Sequence, residues 1–260
     1  MNIINIIDDY LTKKEPYEMK SHHPSEAEKC SRQLWYKWQG APETNPPLAG
    51  AFWKMEIGNA IHELVFDLMK KSGLDRVEQE VVVKEKIEGL KYPISGRMDN
   101  TFIDNGEVCG IEIKTSFGRG IVDIQKTQEP KPEALTQIAF YLTYTDMKKF
   151  YLVYVGRDNA YRCQFIVTLK DGFLYYNEKK MPWDIGKYIK KFSRIENATT
   201  KPAREYKIAI KEGEIKAKFQ KNKVEYKSDW QCNYCEFRDH CWNDVLIKAK
   251  IGEWHGEQQV

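Results

Sequence analysis

Apolar and polar residues alternate along three successive runs, Val77–Ile87, Ile94–Ile103 and Val108–Thr115, parted by turn residues such as Asp104-Asn105-Gly106. A two-residue period puts apolar side chains on one face of a strand, so these runs predict three neighbouring strands. Before them, residues 51–71 carry Met55, Ile61, Leu64, Val65 and Leu68 at helical spacing, which predicts a long helix with a broad apolar face. After them a helix is predicted over 133–147, past Pro130 and Pro132. Two apolar strands follow, Phe150–Val155 and Tyr161–Leu169, joined at Gly156-Arg157-Asp158-Asn159.

Residues 173–194 read as helical. Near the start, residues 3–13 predict a short amphipathic helix. Ser25 and Glu28 have capping-box spacing, which predicts a helix carrying Cys30, Leu34, Trp35 and Trp38. Gly40–Pro47 is a loop, because its prolines sustain neither helix nor central strand. The segment 199–229 fits a hairpin around Lys211-Glu212-Gly213-Glu214. The expected class is α/β: a mixed central β-sheet flanked by helices, with segments from both ends packed together.

Composition changes this picture little. Hydrophobic residues make up 42% and charged residues 30%, as in ordinary globular proteins. No apolar run is long enough to cross a bilayer, so no membrane association is expected. The first ten residues hold Asp8 and Asp9 and no basic region, unlike a secretory signal, and the expected location is the cytoplasm. There, six cysteines read as metal ligands or free thiols rather than disulfides.

Charge adds more. The net charge is only +3, yet residues 178–227 hold fifteen Lys and Arg against seven Asp and Glu, or +8, leaving −5 for the rest. Such asymmetry fits one face meeting a polyanion while acids elsewhere gather cations. A lysine-rich solvated surface would give the same count.

The acids that matter most lie in Ser95-Gly-Arg-Met-Asp99 and Gly110-Ile-Glu112-Ile-Lys114-Thr. Residues two apart on a strand share a face, so Glu112 and Lys114 point the same way. A hairpin that brings Asp99 beside them joins two carboxylates and one lysine. That set suits a hard cation such as Mg2+ or Mn2+ and the hydrolysis of phosphodiesters. Lys114 could position or deprotonate water, or neutralise charge on the phosphorus, and Glu80 is a weaker neighbour of the same face. An isolated Glu-x-Lys pair on a solvated edge strand means nothing by itself. Here the flanking Ile111 and Ile113 are expected to face the core. His62 sits on the preceding helix, and Gln137 and Tyr141 lie four apart on the following one.

These residues resemble the PD-(D/E)xK nuclease superfamily in its RecB-like branch. There a Gly-x-x-x-His helix precedes an aspartate strand, a Glu-x-Lys strand and a Gln-x-x-x-Tyr helix. Gly58 to His62, Asp99, Glu112 with Lys114, and Gln137 with Tyr141 follow that order. Met98 stands where the proline of the superfamily name would be. The resemblance implies a restriction-endonuclease-like core in which His62, Asp99, Glu112 and the carbonyl of Ile113 hold the divalent metal. It further implies catalysis by Asp99, Glu112 and Lys114, with Gln137 and Tyr141 shaping the site or touching DNA.

Cys232-x-x-Cys235 and Cys241 supply three soft ligands within ten residues, and Cys30 is a lone candidate far upstream. Thiolates select zinc or iron–sulfur chemistry. With zinc, His240 or His22 could replace a thiol. One remote cysteine plus a local triplet resembles the iron–sulfur RecB-like nucleases, among them AddB-type nuclease domains and CRISPR-associated exonucleases. This implies a 4Fe-4S cluster on Cys30, Cys232, Cys235 and Cys241 that staples the ends together. Cys109 and Cys163 read as buried apolar residues.

The resemblance covers 26–145 and 228–245. The expected organisation has four parts: 1–50, a helical segment giving one cluster cysteine; 51–170, the nuclease core; 171–227, a basic insertion without a matching motif; 228–260, the cysteine segment. The implied function is a DNA exonuclease on single-stranded ends, with a CRISPR integrase or a recombination helicase as partner and oligomers expected. For a phage-encoded chain the location would be the host cytoplasm. The rival expectation is a non-catalytic DNA-binding subunit with a nuclease fold.

Overall fold

The computed structural model describes residues 1–13, 18–206, 208–210 and 226–248. A seven-stranded sheet runs in chain order: β1 (Asp75–Glu85), β2 (Ile94–Asp104), β3 (Glu107–Ser116), β4 (Lys149–Gly156), β5 (Arg162–Lys170), β6 (Phe173–Tyr176) and β7 (Lys179–Pro182). All neighbours are antiparallel except β3 and β4. A parallel pair needs a crossover, here α4 (Gly118–Thr127) and α5 (Pro132–Tyr144). The sheet is mixed and carries helices on both faces, as expected from the sequence.

One face packs against α4 and α5, through Ile121, Leu135, Ile138, Phe150, Leu152 and Phe165. On the other, Phe102, Ile111 and Ile113 meet Val65 and Met69 of α3 (Ala49–Lys71). Residues Ala134 to Leu142 of α5 are all buried, because the helix also packs outward through Phe140 against Tyr188, Phe192 and Ile195 of α6 (Ile185–Asn197). Gly110 lets β3 and β4 come together: a Cβ there would lie 2.2 Å from the Phe150 ring. That ring is fully buried.

Several expectations need correction. Residues 173–194 are not one helix. Phe173-Leu-Tyr-Tyr and Lys179-Lys-Met-Pro form the β6–β7 hairpin about Asn177 and Glu178, both at positive φ, and only 185–197 is helical. Aromatic residues in alternation favour strand, and Pro182 would break a helix. Ser25 is no cap: Pro24–Glu26 is a single 3-10 turn, and α2 spans Ser31–Trp38 with Cys30 at its cap position. The Glu28 carboxylate instead accepts hydrogen bonds from Tyr188 and Thr136. Helix α4 was not anticipated. On α3, Met55, Leu64 and Leu68 are exposed rather than core. The hairpin expected around Lys211 and the end of the chain from 249 lie outside the described residues.

Helix α2 packs beside α6 and meets the C-terminal part of the described chain, where the Tyr36 hydroxyl donates to the His240 carbonyl at 3.3 Å. The N-terminal α1 (Ile3–Thr12) lies against α3, where Trp53 Nε1 donates to Asp8 at 2.7 Å. Short strands β8 (Ile208–Ile210) and β9 (Tyr226–Ser228) pair with each other and lead into α7 (Trp230–Asn233) and α8 (Arg238–Lys248). Trp35 Nε1 donates to the Ala198 carbonyl and Arg32 Nε to that of Pro202, at 2.9 and 2.7 Å. No described helix is long and apolar enough to cross a membrane.

Candidate active site

Strands β2 and β3 pair from Asp104–Glu107 up to Asn100–Ile111, and the backbone ladder stops there. One residue beyond, Asp99 replaces the missing backbone bond with its side chain: Oδ2 accepts from the Ile113 N–H at 2.6 Å. Oδ1 lies 3.5 Å from Nδ1 of His62, which α3 holds over the splayed strands. Across the gap Glu112 is 2% exposed. Its Oε1 accepts from Lys114 Nζ at 2.6 Å, while Oε2 is buried with no hydrogen-bond partner among the described residues.

Helix α5 completes the arrangement. Lys114 Nζ donates to Gln137 Oε1 at 2.9 Å, Gln137 Nε2 donates to the Tyr141 hydroxyl at 3.2 Å, and that hydroxyl donates to the Arg97 carbonyl at 2.9 Å. The ring of Tyr141 is 2% exposed, so it orients Gln137 and is out of reach of a nucleic-acid base. Gln137 acts on Lys114 by the same geometry. Glu80 is elsewhere, paired with Arg97 at 2.7 Å on the exposed edge. Trp35 and Trp53 are half-buried and bonded through their indole nitrogens.

The electrostatics match a buried charge cluster. Burial pushes the Glu112 carboxyl up, and the Asp99 carboxylate adds to this against the pull of Lys114. Burial works against the Lys114 ammonium, but the Glu112 carboxylate outweighs it and the pKa rises. The half-exposed Lys114 ammonium, 2.6 Å from the buried Glu112 carboxyl, holds that carboxyl in its charged form, so the pair is ionised. For His62, too, burial is outweighed, here by the hydrogen bond and charge of Asp99, and the imidazole pKa rises.

The donor set fits a hard divalent cation. It offers two carboxylates, a histidine and the Ile113 carbonyl, and a buried orphan carboxylate oxygen is costly unless something satisfies it. Among the described residues, no three His, Cys, Asp or Glu side chains are already drawn together as a ligand set. The cysteines show the same pattern. Cys30, Cys232, Cys235 and Cys241 line one cavity, together with Arg32 and Arg204. Burial raises the thiol pKa of Cys232 and pushes that of Cys235 up to about 12, neighbouring thiols adding to both. Arg32 Nη1 donates to Cys241 Sγ at 3.8 Å. Four soft donors lining one cavity have the chemistry that a thiolate-bound metal centre uses, although they are not drawn together as a ligand set. Of the two histidines weighed as zinc ligands, His22 is engaged by Glu196 at 2.9 Å, whereas His240 stacks on Tyr36 and keeps its Nε2 buried with no hydrogen-bond partner among the described residues.

One group beside the site was missed in the sequence. Arg157, at the end of β4, donates from Nε to Thr115 Oγ1 at 2.8 Å, and its guanidinium stands 5.2 Å from the centre of the Phe117 ring. Gly58 of α3 makes room for the pair. No local spacing announces it, because it depends on the parallel pairing of β3 with β4.

No protein-family model matches the chain, and no curated protein does. Among solved structures, SSO0001 is similar at 18% identity over 90% of each chain, with a TM-score of 0.51, a likeness of fold alone. An alkaline exonuclease, LHK-Exo from Laribacter hongkongensis, aligns at 16% identity over 68% of this chain and 87% of its own, with a TM-score of 0.42. The same protein in complex with dAMP aligns at 14% over 74% and 90%, with a TM-score of 0.44. Both scores are too low to argue from.

Proposed function

We propose that this chain is a Mg2+- or Mn2+-dependent deoxyribonuclease, an exonuclease acting on single-stranded DNA ends. The observation that carries the reading is Glu112: a buried carboxylate with one oxygen tied to Lys114 and the other without a partner, beside Asp99 and His62. A divalent ion at this site would supply Lewis-acid stabilisation of the phosphate and lower the pKa of attacking water. His62, Asp99, Glu112 and the carbonyl of Ile113 would hold it.

The chain's own part lies in Lys114. An ammonium has three N–H donors, and Glu112 and Gln137 take two of them. The third is left for a phosphate oxygen or the attacking water, and Tyr141 keeps Gln137 in place from behind. Water attacks phosphorus, one P–O bond breaks, and the leaving oxygen takes a proton.

Cys30, Cys232, Cys235 and Cys241 are proposed to hold a 4Fe-4S cluster with a structural role. The excess of Lys and Arg in residues 178–227 is proposed to favour contact with DNA by charge. A CRISPR integrase or a recombination helicase is the proposed partner, in the cytoplasm. The test of substrate form compares end-labelled linear with closed circular single-stranded DNA in Mn2+. Loss of the linear form alone is expected. Binding of both without cleavage would favour a non-catalytic DNA-binding subunit.

A further inference from the structure

The ends of β3 and β4 carry a pair of side chains that the reaction described above does not use. These are the C-terminal ends of the only parallel strands in the seven-stranded sheet, where α/β folds open a binding crevice. Arg157 leaves β4 there. Its backbone N–H is fixed to the Ser116 carbonyl at 2.9 Å, and its Nε to Thr115 Oγ1 at 2.8 Å. One face of the guanidinium lies over the Phe117 ring, which is itself 45% exposed. The adjacent Asp158 caps the Gly118 N–H at 2.9 and 3.1 Å and makes no ion pair with Arg157. Among the described residues no carboxylate pairs with Arg157. A guanidinium anchored at Nε presents its two terminal nitrogens as a fork, the geometry that suits a phosphate.

Its place relative to the metal site is set by β3. Thr115 follows Ile113, whose carbonyl belongs to the site, by two residues or about 7 Å along the strand, and its side chain lies on the α3 face, opposite Glu112 and Lys114. A nucleotide chain spans that distance from one phosphate to the next. Gly58 supports the arrangement from α3, since a Cβ there would stand 3.3 Å from Thr115 Oγ1 and 3.8 Å from Arg157 Nη2.

We infer that Arg157 and Phe117 form a nucleotide clamp beside the cleavage site. Arg157 holds the phosphate next to the scissile one, and the exposed ring of Phe117 stacks on the base that belongs to it. The inference rests on the nuclease reading and adds a substrate-binding pair to it. Stacking on an aromatic ring tolerates any base, so the clamp positions the strand without reading sequence.

The test measures binding of a fluorescein-labelled 12-nucleotide single-stranded DNA by anisotropy. Full-length protein is used in EDTA, at several salt concentrations. Arg157→Gln is expected to weaken binding about tenfold and to reduce the slope of log K against log salt by about 0.7, as for one lost phosphate contact. Phe117→Leu is expected to weaken binding with its salt slope unchanged. Arg157→Lys keeps the charge but not the fork, and should fall between wild type and Arg157→Gln. Melting temperatures identify any variant that fails to fold, and Arg157→Lys then carries the measurement. Unchanged affinity and slope in folded Arg157→Gln would overturn the clamp, and wild-type cleavage of DNA in the same hands would leave the metal-site reading standing. A wild-type protein that neither binds nor cleaves the oligonucleotide would overturn both.

Discussion

Gly58 of α3 and Thr115 of β3 approach so closely that a Cβ on the glycine would lie 3.3 Å from the threonine hydroxyl oxygen. Gly58 is the one residue of the 23-residue helix that is buried. It sets the distance of α3 from the sheet, and His62 stands one turn further along.

Gly58→Ala therefore sets two effects against each other. Alanine favours a helix interior over glycine by up to about 1 kcal/mol. The new methyl must push α3 off the sheet by a few tenths of an ångström, and His62 moves with it. The expected result is a melting temperature within a few degrees of wild type, with the cleavage rate down about tenfold. A variant that melts well below wild type would show that the contact governs stability rather than the site.

Tyr141→Phe removes one hydroxyl from the chain that runs from the Arg97 carbonyl through Gln137 to Lys114. It strands a buried amide N–H, so a loss of about 1–3 kcal/mol is expected in urea unfolding. The cleavage rate should fall with it, while affinity for single-stranded DNA stays unchanged, because the ring is buried. Weaker DNA binding in a folded variant would return Tyr141 to the role of a DNA contact.

The buried pair His22 and Glu196 predicts an acid-sensitive stability. Burial lowers the His22 pKa below 6.5, against the pull of Glu196, and the ring stacks on Phe192 at 4.5 Å. Unfolded chains then bind more protons than folded ones below pH 6.5. The stabilising contribution is complete above that pH and lost as pH falls through the folded value. Urea midpoints should drop across this window in wild type, and the drop should be smaller in His22→Gln, which keeps a donor but does not titrate. Equal slopes would assign the acid sensitivity elsewhere.

Cys30 and Cys232 are separated by about two hundred residues, so a metal centre joining them closes a very long loop. Protein purified without oxygen is expected to be brown, with about four irons per chain on the iron–sulfur reading. Cys30→Ser should lose the iron and melt several degrees lower. Colourless protein with one zinc would replace the cluster by a zinc site.

Much of the fold could be read from the chain, for reasons that particular elements make clear. Strands β2 and β3 flank a clear Asp104-Asn105-Gly106 turn, and their ends fall within a residue of expectation. Helix α5 is entered past two prolines and lies within three residues of its predicted span. Expectation failed where local pattern was ambiguous. The repeat Phe173-Leu-Tyr-Tyr fits either period, and only pairing with β5 decides it. The apolar face of α3 suggested a core helix, yet the sheet takes only Val65 and Met69, on one side of it. Glu112 and Lys114 were found together because the strand period is a short-range signal, and Gln137 was joined to them only through the family resemblance. Arg157 was not, because it reaches the site through a crossover of some thirty residues.

The most direct test of the whole account is a time course on end-labelled linear single-stranded DNA in Mn2+, with wild type beside Asp99→Ala and EDTA as the metal-free control. The account predicts cleavage by wild type that EDTA stops and that Asp99→Ala lacks, with both proteins melting alike. Cleavage by folded Asp99→Ala at the wild-type rate would contradict it, because the reaction would then take place elsewhere on the molecule.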